Sequence, residues 1–172
     1  MTDKNKIQSL TYELLKAIGE NPEREGLKDT PKRIAEMCEE IFSGINTNPE
    51  NFVKLFKEDS QTSDIVEIND IPVYSVCEHH LLPFFGKANI KYIPKDGNIM
   101  GISKFPRIVN CFAAKPQVQE RLTREIAEFL FSKLNPQGIK VTLECSHMCM
   151  IMRGIKAQGS MTKTTSVFGN IE

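Results

Sequence analysis

The sequence predicts an α+β fold, with an N-terminal pair of helices followed by a mostly antiparallel sheet that carries two helices on one side. Three observations support this prediction. Apolar residues recur at helical spacing within the first 44 residues. From residue 64 onward, short segments alternate apolar and polar residues, as half-buried strands do. Two longer segments among these strands return to the helical period.

The first two helices are predicted from spacing and from end signals. In the first helix, apolar residues share one face: Ile7, Leu10, Leu14, Leu15 and Ile18. In the second, Asp29 or Thr30 can cap the start, and Pro31 suits the first turn. Gly44 can end it. We expect the two helices to pack as an antiparallel pair.

The remaining elements follow in order along the chain. Four segments have strand patterns: DIVEI, KANIKYIP, GIKVTLEC and MTKTTSVFG. KDG is typical of a turn, and HMCMIMRG either continues the third strand or turns out of it. SKFPRIVNCFA and QVQERLTREIAEFLFSKL are predicted helices, and the second places Leu122, Ile126, Phe129 and Leu130 on one face. We expect a helical arm over residues 1–62 and a sheet domain over residues 63–172.

Composition limits the classes of partner and compartment. Lys+Arg and Asp+Glu both total 22 in the 172 residues, so no overall charge favours nucleic acid or an anionic membrane. The N-terminus lacks the apolar core of a signal peptide, and no apolar run approaches the roughly 20 residues of a membrane span. We expect a cytoplasmic protein with neither a nucleic-acid nor a membrane partner. In that compartment the five cysteines are expected to be thiols or metal ligands.

The three histidines of the chain all lie within three residues of a cysteine. In CEHH, Cys77 and His80 have a chelating spacing, and His79 lies between them. The apolar LLPFFG that follows is expected to anchor this loop in the core. The second group, ECSHMCM, offers Cys145, His147 and Cys149, which share one face if the segment is extended. Thiolates with imidazoles favour Zn²⁺ over Mg²⁺ or Ca²⁺.

Spacing leaves three interpretations of these groups open. An open site would have three protein ligands and a water whose pKa zinc lowers to roughly 7, with a spare histidine to move protons. A closed structural site would use Cys77, His80, Cys145 and Cys149. The third interpretation is that no metal binds.

Basic and polar residues near these groups are candidates for substrate binding. Lys104 and Arg107 are three residues apart and share a helix face, and Ser103 can cap that helix. If the strand continues, Arg153 lies an even number of residues after Cys149, so both side chains point to the same face and to the same site. Such a group suits a phosphorylated substrate, although ordinary solvated surface charge explains each residue equally well.

Gln119 and Glu120 open the next helix. A carboxylate near a helix start is favourable with the helix dipole, and it could instead accept two N–H bonds from a guanidine-like base edge. Spacing does not decide between these roles.

At this point five motifs resemble, in order, the zinc-dependent GTP cyclohydrolase I family: EREGLKDTPKRIAEM, CEHHLLPFFGKA, GISKFPRIV, QVQERLT and HMCMIMRG. The resemblance implies the tunnelling fold and the conversion of GTP and water to 7,8-dihydroneopterin triphosphate and formate. It also implies a homo-oligomer, typically a decamer of two pentamers, with active sites at subunit boundaries.

The resemblance also assigns roles to residues at the matching positions. The zinc ligands fall on Cys77, His80 and Cys149. The acid–base and proton-transfer residues fall on His79, His147 and Ser103. The triphosphate positions fall on Lys104, Arg107, Arg153 and Arg33, and the purine-recognition positions on Gln119 and Glu120.

Cys145 departs from the family pattern, which usually has a small non-ligand there, and this keeps the closed site open as an alternative. Two other classes also compete: a non-catalytic module stapled by zinc, and a different enzyme of the tunnelling fold. The paired CEHH and HMCM motifs favour the cyclohydrolase over another enzyme of this fold, whereas a zinc module would show no pterin fluorescence after incubation with GTP.

Overall fold

The structure is a computed structural model that describes residues 2–58 and 64–171. The predicted domain boundary, between residues 62 and 63, lies outside these ranges. The helices are α1 (Lys4–Ala17), α2 (Thr30–Ile41), α3 (Lys104–Ala113), α4 (Gln119–Leu134) and the one-turn α5 (Met148–Ile151). The strands are β1 (Leu55–Lys57), β2 (Val66–Cys77), β3 (Pro83–Ile93), β4 (Asn98–Met100), β5 (Pro116–Gln117), β6 (Gly138–His147) and β7 (Thr162–Gly169).

The N-terminal helices pack against each other as predicted. Lys4, at the start of α1, forms a 2.7 Å ion pair with Glu39, near the end of α2, which makes the pair antiparallel. Asp29 precedes α2, but its side chain makes no capping hydrogen bond, contrary to our expectation. Its backbone angles are already helical (φ −92°, ψ −4°), whereas a side-chain cap needs an extended residue.

Gly44 has a different role from the helix stop that its position suggested. It lies in a short 3₁₀ helix (Ser43–Ile45), and its N–H donates to the Ala114 carbonyl at 2.9 Å. A Cβ atom at this position would lie 2.2 Å from the Cys111 carbonyl oxygen. Glycine is therefore required because the segment after α2 docks directly on the end of α3.

Five strands form one sheet in the order β5-β2-β3-β6-β7. All neighbouring pairs are antiparallel except β5 and β2, which are parallel over two residues. β1 and β4 form a separate two-stranded antiparallel sheet. The predicted strands are therefore confirmed, together with the mainly antiparallel arrangement.

The core lies between one face of the sheet and helices α3 and α4. Leu122, Ile126 and Leu130 of α4 are fully buried there, as the helical period predicts. Phe129 is only partly buried and packs edge-on against Phe112 of α3. Two helices on one face of an antiparallel sheet is the predicted α+β architecture.

Candidate metal centre and active site

The CEHH motif forms the hairpin loop between β2 and β3. Cys77 ends β2, and its backbone N–H donates to the Leu82 carbonyl at 2.8 Å. The Leu81 N–H returns to the Cys77 carbonyl, also at 2.8 Å. Leu81 closes the turn with φ +53°, a left-handed conformation that costs a non-glycine residue on the order of 1 kcal/mol. The loop buries Cys77 and leaves His79 and His80 exposed.

The apolar residues after this loop anchor it less than the sequence suggested. Phe84 is fully buried, but Leu81 is 61% exposed and Phe85 is 41% exposed. Successive residues of β3 point to opposite faces of the sheet, so only the face shared with Phe84 reaches the core. A single aromatic ring therefore anchors the loop.

Cys149 reaches the loop by a route that the extended interpretation did not predict. β6 ends at His147, and the chain turns into α5. Its neighbour β3 offers no partner beyond the Phe84–His147 pair, so a longer β6 would leave backbone groups unpaired. The turn brings Cys149 to Cys77 and His80, and the three ligand atoms all lie within 4.8 Å of one another.

Two contacts define the surroundings of Cys77. Its Sγ lies 3.9 Å from Nδ1 of His79 and 3.9 Å from Nδ1 of His80. The pKa of the Cys149 thiol is raised, first by burial and then by the adjacent Cys77 sulfur. Two thiols this close cannot both ionise easily unless a cation joins them, so the arrangement suits a metal ion.

Cys145 lies apart from this group. It is 0% exposed and belongs to the core beneath the sheet. Burial raises the pKa of its thiol to about 12. Among residues 2–58 and 64–171, the group that could hold a metal comprises Cys77, His80 and Cys149, without Cys145.

Arg153 reaches the same site, although not through the continued strand that the sequence suggested. It follows α5 and donates from Nη1 to Nε2 of His80 at 3.1 Å. Cys149 lies in α5 and Arg153 lies just beyond it, so the turn after β6, and not an extended strand, brings both side chains to His80.

His147 is held on two sides beside the metal-binding group. Its ring stacks on Phe84 with centroids 4.7 Å apart and an interplanar angle of 9°. Its Nε2 lies 2.8 Å from Oε1 of Gln119, at the start of α4. Burial lowers the pKa of His147, and the Glu120 carboxylate acts in the opposite direction. A half-buried imidazole that is held on two sides suits proton transfer better than metal binding.

Glu120 is exposed and lines a cleft of about 520 Å³ between the start of α4 and β7. Arg121, on the same cleft, donates to Glu78 at 2.7 Å. This hydrogen bond lowers the pKa of Glu78 and ties the CEHH loop to α4. No role was predicted for Glu78 or Arg121. Their separation of 43 residues gives no local signal that they pair.

Apart from Arg153, the predicted anion-binding residues lie away from the candidate metal ligands Cys77, His80 and Cys149. Ser75, two residues before Cys77, donates to the Ala113 carbonyl at the end of α3, at 2.7 Å. Lys104 begins α3, nine residue steps away, or roughly 14 Å at about 1.5 Å per residue. Ser103 precedes it and makes no capping hydrogen bond, contrary to the sequence prediction.

Arg107 and Arg33 are likewise away from the metal-binding group. Arg107 lines a separate cavity of about 250 Å³ beside the 3₁₀ segment after α2. Arg33 lies on α2 and pairs with Asp29 at 3.6 Å. Within one chain, the structure therefore brings together Cys77, His80 and Cys149 with the two other histidines and Arg153. It leaves four of the predicted substrate-site residues elsewhere: Arg33, Ser103, Lys104 and Arg107.

No helix in the described ranges is both long enough and apolar enough to cross a membrane.

Comparison with known proteins agrees with the geometry. The model of a family described as GTP cyclohydrolase I matches residues 7–172. A protein named GTP cyclohydrolase 1 from Carboxydothermus hydrogenoformans is 52% identical over 170 residues, which is 98% of this chain and 88% of that protein. One of the same name from Acetivibrio thermocellus is 51% identical over 172 residues, covering 100% of this chain and 91% of the relative.

A solved structure is also similar in fold. The archaeosine synthase QueF-Like, in its apo form, superposes with a TM-score of 0.51 at 19% identity, covering 64% of this chain and 99% of that one. At this identity the match concerns the fold alone, and it agrees with the predicted tunnelling fold.

Proposed function

This chain belongs to the GTP cyclohydrolase I family, and on that premise we propose that it converts GTP and water to 7,8-dihydroneopterin triphosphate and formate with the help of zinc. The observation that carries the proposal is the convergence of three ligand atoms, from segments about 70 residues apart, next to the half-buried His147. The reaction class is the hydrolysis of a cyclic amidine C–N bond, followed by rearrangement and ring closure.

The residues present fit zinc. Two thiols and one imidazole within 4.8 Å form a donor set that zinc prefers, and this group contains no carboxylate that would favour Mg²⁺ or Ca²⁺. Cys77, His80 and Cys149 would hold the ion and leave a fourth position for water or substrate. A bound zinc ion supplies Lewis acidity and lowers the pKa of its water to about 7.

Arg153 would respond to the loading of the site. His80 directs Nδ1 toward Cys77 and Nε2 toward Arg153. When Nδ1 is a ligand, the neutral ring carries its proton on Nε2, which then has no lone pair to accept from a guanidinium. Arg153 would be released and would become available to the triphosphate of the substrate, where Arg–phosphate pairs bind strongly.

The other residues would act on the substrate directly. His147 and His79 would donate and accept protons at the imidazole ring of the purine as it opens. The Glu120 carboxylate, exposed in the free chain, would accept two N–H bonds from the pyrimidine edge. Once the base covers these pairs, analogues that lack the donors would be rejected. Ser103 would carry protons during rearrangement of the ribose. Lys104, Arg107 and Arg33 would hold the triphosphate in position.

The position of these last residues supports a shared active site. Ser103 and Lys104 begin α3, roughly 14 Å from the end of that helix, which lies near the metal-binding group. They would complete the site of another copy of the chain, as in the decamer of two pentamers that we expect. Unpartnered apolar side chains on α1 support association, since Leu10, Leu14 and Ile18 are all exposed. Thiolate ligands and a nucleotide substrate favour the reducing cytoplasm.

Incubation with GTP, with and without a strong chelator, tests the proposal. We expect formate and, after oxidation, a fluorescent pterin in equal amounts, both lost with the chelator and restored by zinc. A protein that holds zinc but releases no formate would be a zinc-stapled binding module or another enzyme of the same fold. Formate release by metal-free protein would contradict the role of zinc.

A further inference from the structure

We propose that Gln119 is a positioning residue that holds His147 in one tautomer, with the proton on Nε2 and with Nδ1 as the nitrogen that exchanges a proton with the substrate. The kinetic part of this inference rests on the proposed function, whereas the tautomer itself depends only on the geometry. It gives the Gln119 side chain a different role from the purine contact that the sequence motif suggested.

The orientation of the Gln119 amide is determined by its surroundings. The side chain is 1% exposed, and Nε2 donates to the carbonyl oxygens of Leu143 (3.2 Å) and Thr162 (2.9 Å). Carbonyl oxygens only accept hydrogen bonds, so a flipped amide would place its oxygen against two other oxygens. The amide nitrogen must therefore face these carbonyls, and Oε1 must face His147.

This orientation determines the His147 tautomer. An amide oxygen accepts and cannot donate, so the 2.8 Å contact from His147 requires the hydrogen to be on Nε2. The same hydrogen bond persists when the ring is protonated, because Nε2 carries a proton in both states. Proton exchange is therefore confined to Nδ1. In the described ranges, no protein group hydrogen-bonds to that nitrogen.

A closed ring of hydrogen bonds fixes Gln119 in turn. Thr123 donates to the Gln119 backbone carbonyl at 2.7 Å, so its hydroxyl oxygen is left to accept from Thr164 at 2.6 Å. Gln119 Nε2 also lies 3.0 Å from the Thr164 oxygen, so its two hydrogens are shared among this oxygen and the two carbonyls. Each hydroxyl donates once, and the ring begins and ends on the same residue. Stacking on Phe84 fixes the plane of the imidazole at the same time.

The arrangement follows from the order of the elements. α4 leads directly into β6 and packs over it, so the first residue of the helix lies above the last residue of the strand. The side chain of Gln119 fills the gap between them. Because it is buried and its amide hydrogens already have acceptors, a purine could reach it only by breaking this network. The exposed Glu120 is the residue in this segment that is open to a base.

Gln119→Met tests the inference, with Gln117→Met as the matched control. Gln117 is also fully buried, but its amide bonds to Phe112 and Glu125 and does not touch His147. Both substitutions replace an amide by an apolar side chain of similar length. The chain has only three histidines, so ¹⁵N-histidine labelling of the zinc-loaded protein gives three ring systems to assign by solid-state NMR.

We expect the wild-type protein to show His147 with a protonated Nε2 and an unprotonated Nδ1. Gln119→Met should give a mixture of tautomers, and kcat should fall by roughly 10- to 100-fold, a part of what a positioned acid–base group contributes. The KM for GTP should stay within about twofold, since no substrate contact is lost. Gln117→Met should leave both the tautomer and kcat unchanged.

Three results would overturn the inference: a wild-type His147 with its neutral proton on Nδ1, a Gln119→Met variant with an unchanged tautomer, or one that raises KM alone. If Gln119→Met fails to fold, the wild-type spectrum alone still decides the inference, because the geometry allows only the tautomer with the proton on Nε2. The NMR result does not depend on turnover. A protein with the expected tautomer but no activity on GTP would refute the proposed function and leave the role of Gln119 in fixing the tautomer intact.

Discussion

Replacing Cys145 by alanine separates an open zinc site from a closed one. Cys145 is the fourth thiol or imidazole that a closed site would need, yet it lies in the core and outside the group formed by Cys77, His80 and Cys149. We expect Cys145→Ala to keep one zinc per chain and full turnover. Cys149→Ala should lose both.

The same substitution should have a small cost in stability that depends on pH. Removing one fully buried sulfur atom leaves a void about the size of a methyl group, which costs about 1 kcal/mol near neutral pH. In the folded protein the pKa of Cys145 is raised from 9.0 to about 12. Between these values the unfolded chain loses the thiol proton before the folded protein does. The wild-type protein therefore loses stability relative to the variant as the pH rises above 9, by on the order of 1 kcal/mol at pH 10.

Urea unfolding at fixed chain concentration, repeated from pH 7 to pH 10, measures this difference, and elemental analysis gives the zinc content. The wild-type advantage of about 1 kcal/mol should shrink to nothing near pH 10. Loss of zinc in Cys145→Ala, in proportion to loss of activity, would refute the reasoning and establish the closed site. A stability difference that is constant with pH would show that the thiol is not buried as described.

Further predictions concern the close approach of β3 and β6, the pairing of Arg121 with Glu78, and the sharing of the site between chains. Gly86→Ala would place a Cβ atom 2.0 Å from a backbone oxygen of β6, so we expect a loss of more than about 3 kcal/mol in unfolding free energy; wild-type stability would contradict the close approach. Arg121→Met should free Glu78 and speed zinc release to a chromogenic chelator about tenfold, and an unchanged rate would show that their pair does not hold the loop. Lys104→Met and Cys149→Ala should each be inactive alone but partly active when co-expressed, as mixed oligomers contain some intact shared sites; no recovery would place each site within one chain.

The sequence predicts the layers of this fold because both periodicities are strong. Leu122, Ile126 and Leu130 recur at helical spacing and are all buried in α4. The alternation in β3 likewise places every second residue in the core. Such patterns reflect burial on one face, which each element carries in its own residues.

The ends of the elements depend on neighbours that are remote in sequence, and there the sequence left alternatives open or was wrong. β6 ends at His147 because the neighbouring β3 begins at Pro83, and nothing near His147 signals this. Gly44 is typical of a helix stop, yet the close approach of the α3 backbone is what requires a glycine at this position. In both cases a contact with a neighbouring element, and not the local sequence, determines the structure.

The candidate site likewise has one part that the sequence predicts and another that it does not. The clustering of histidines and cysteines could be read from the sequence, and the structure brings Cys77, His80 and Cys149 together; their roles as ligands remain proposals. The hydrogen-bond network of Gln119 could not be predicted, because it joins a helix start to two strands through Thr164 and two carbonyl groups. Polar networks of this kind become visible only when the packing is known.

X-ray absorption spectroscopy at the zinc K-edge of the purified, fully loaded protein tests the central claim most directly. We predict two sulfur ligands at about 2.3 Å, with one imidazole nitrogen and one water oxygen at about 2.0–2.2 Å. The oxygen should be displaced or altered when a substrate analogue binds. Three sulfur ligands and one nitrogen, with no oxygen and no change on binding, would contradict it.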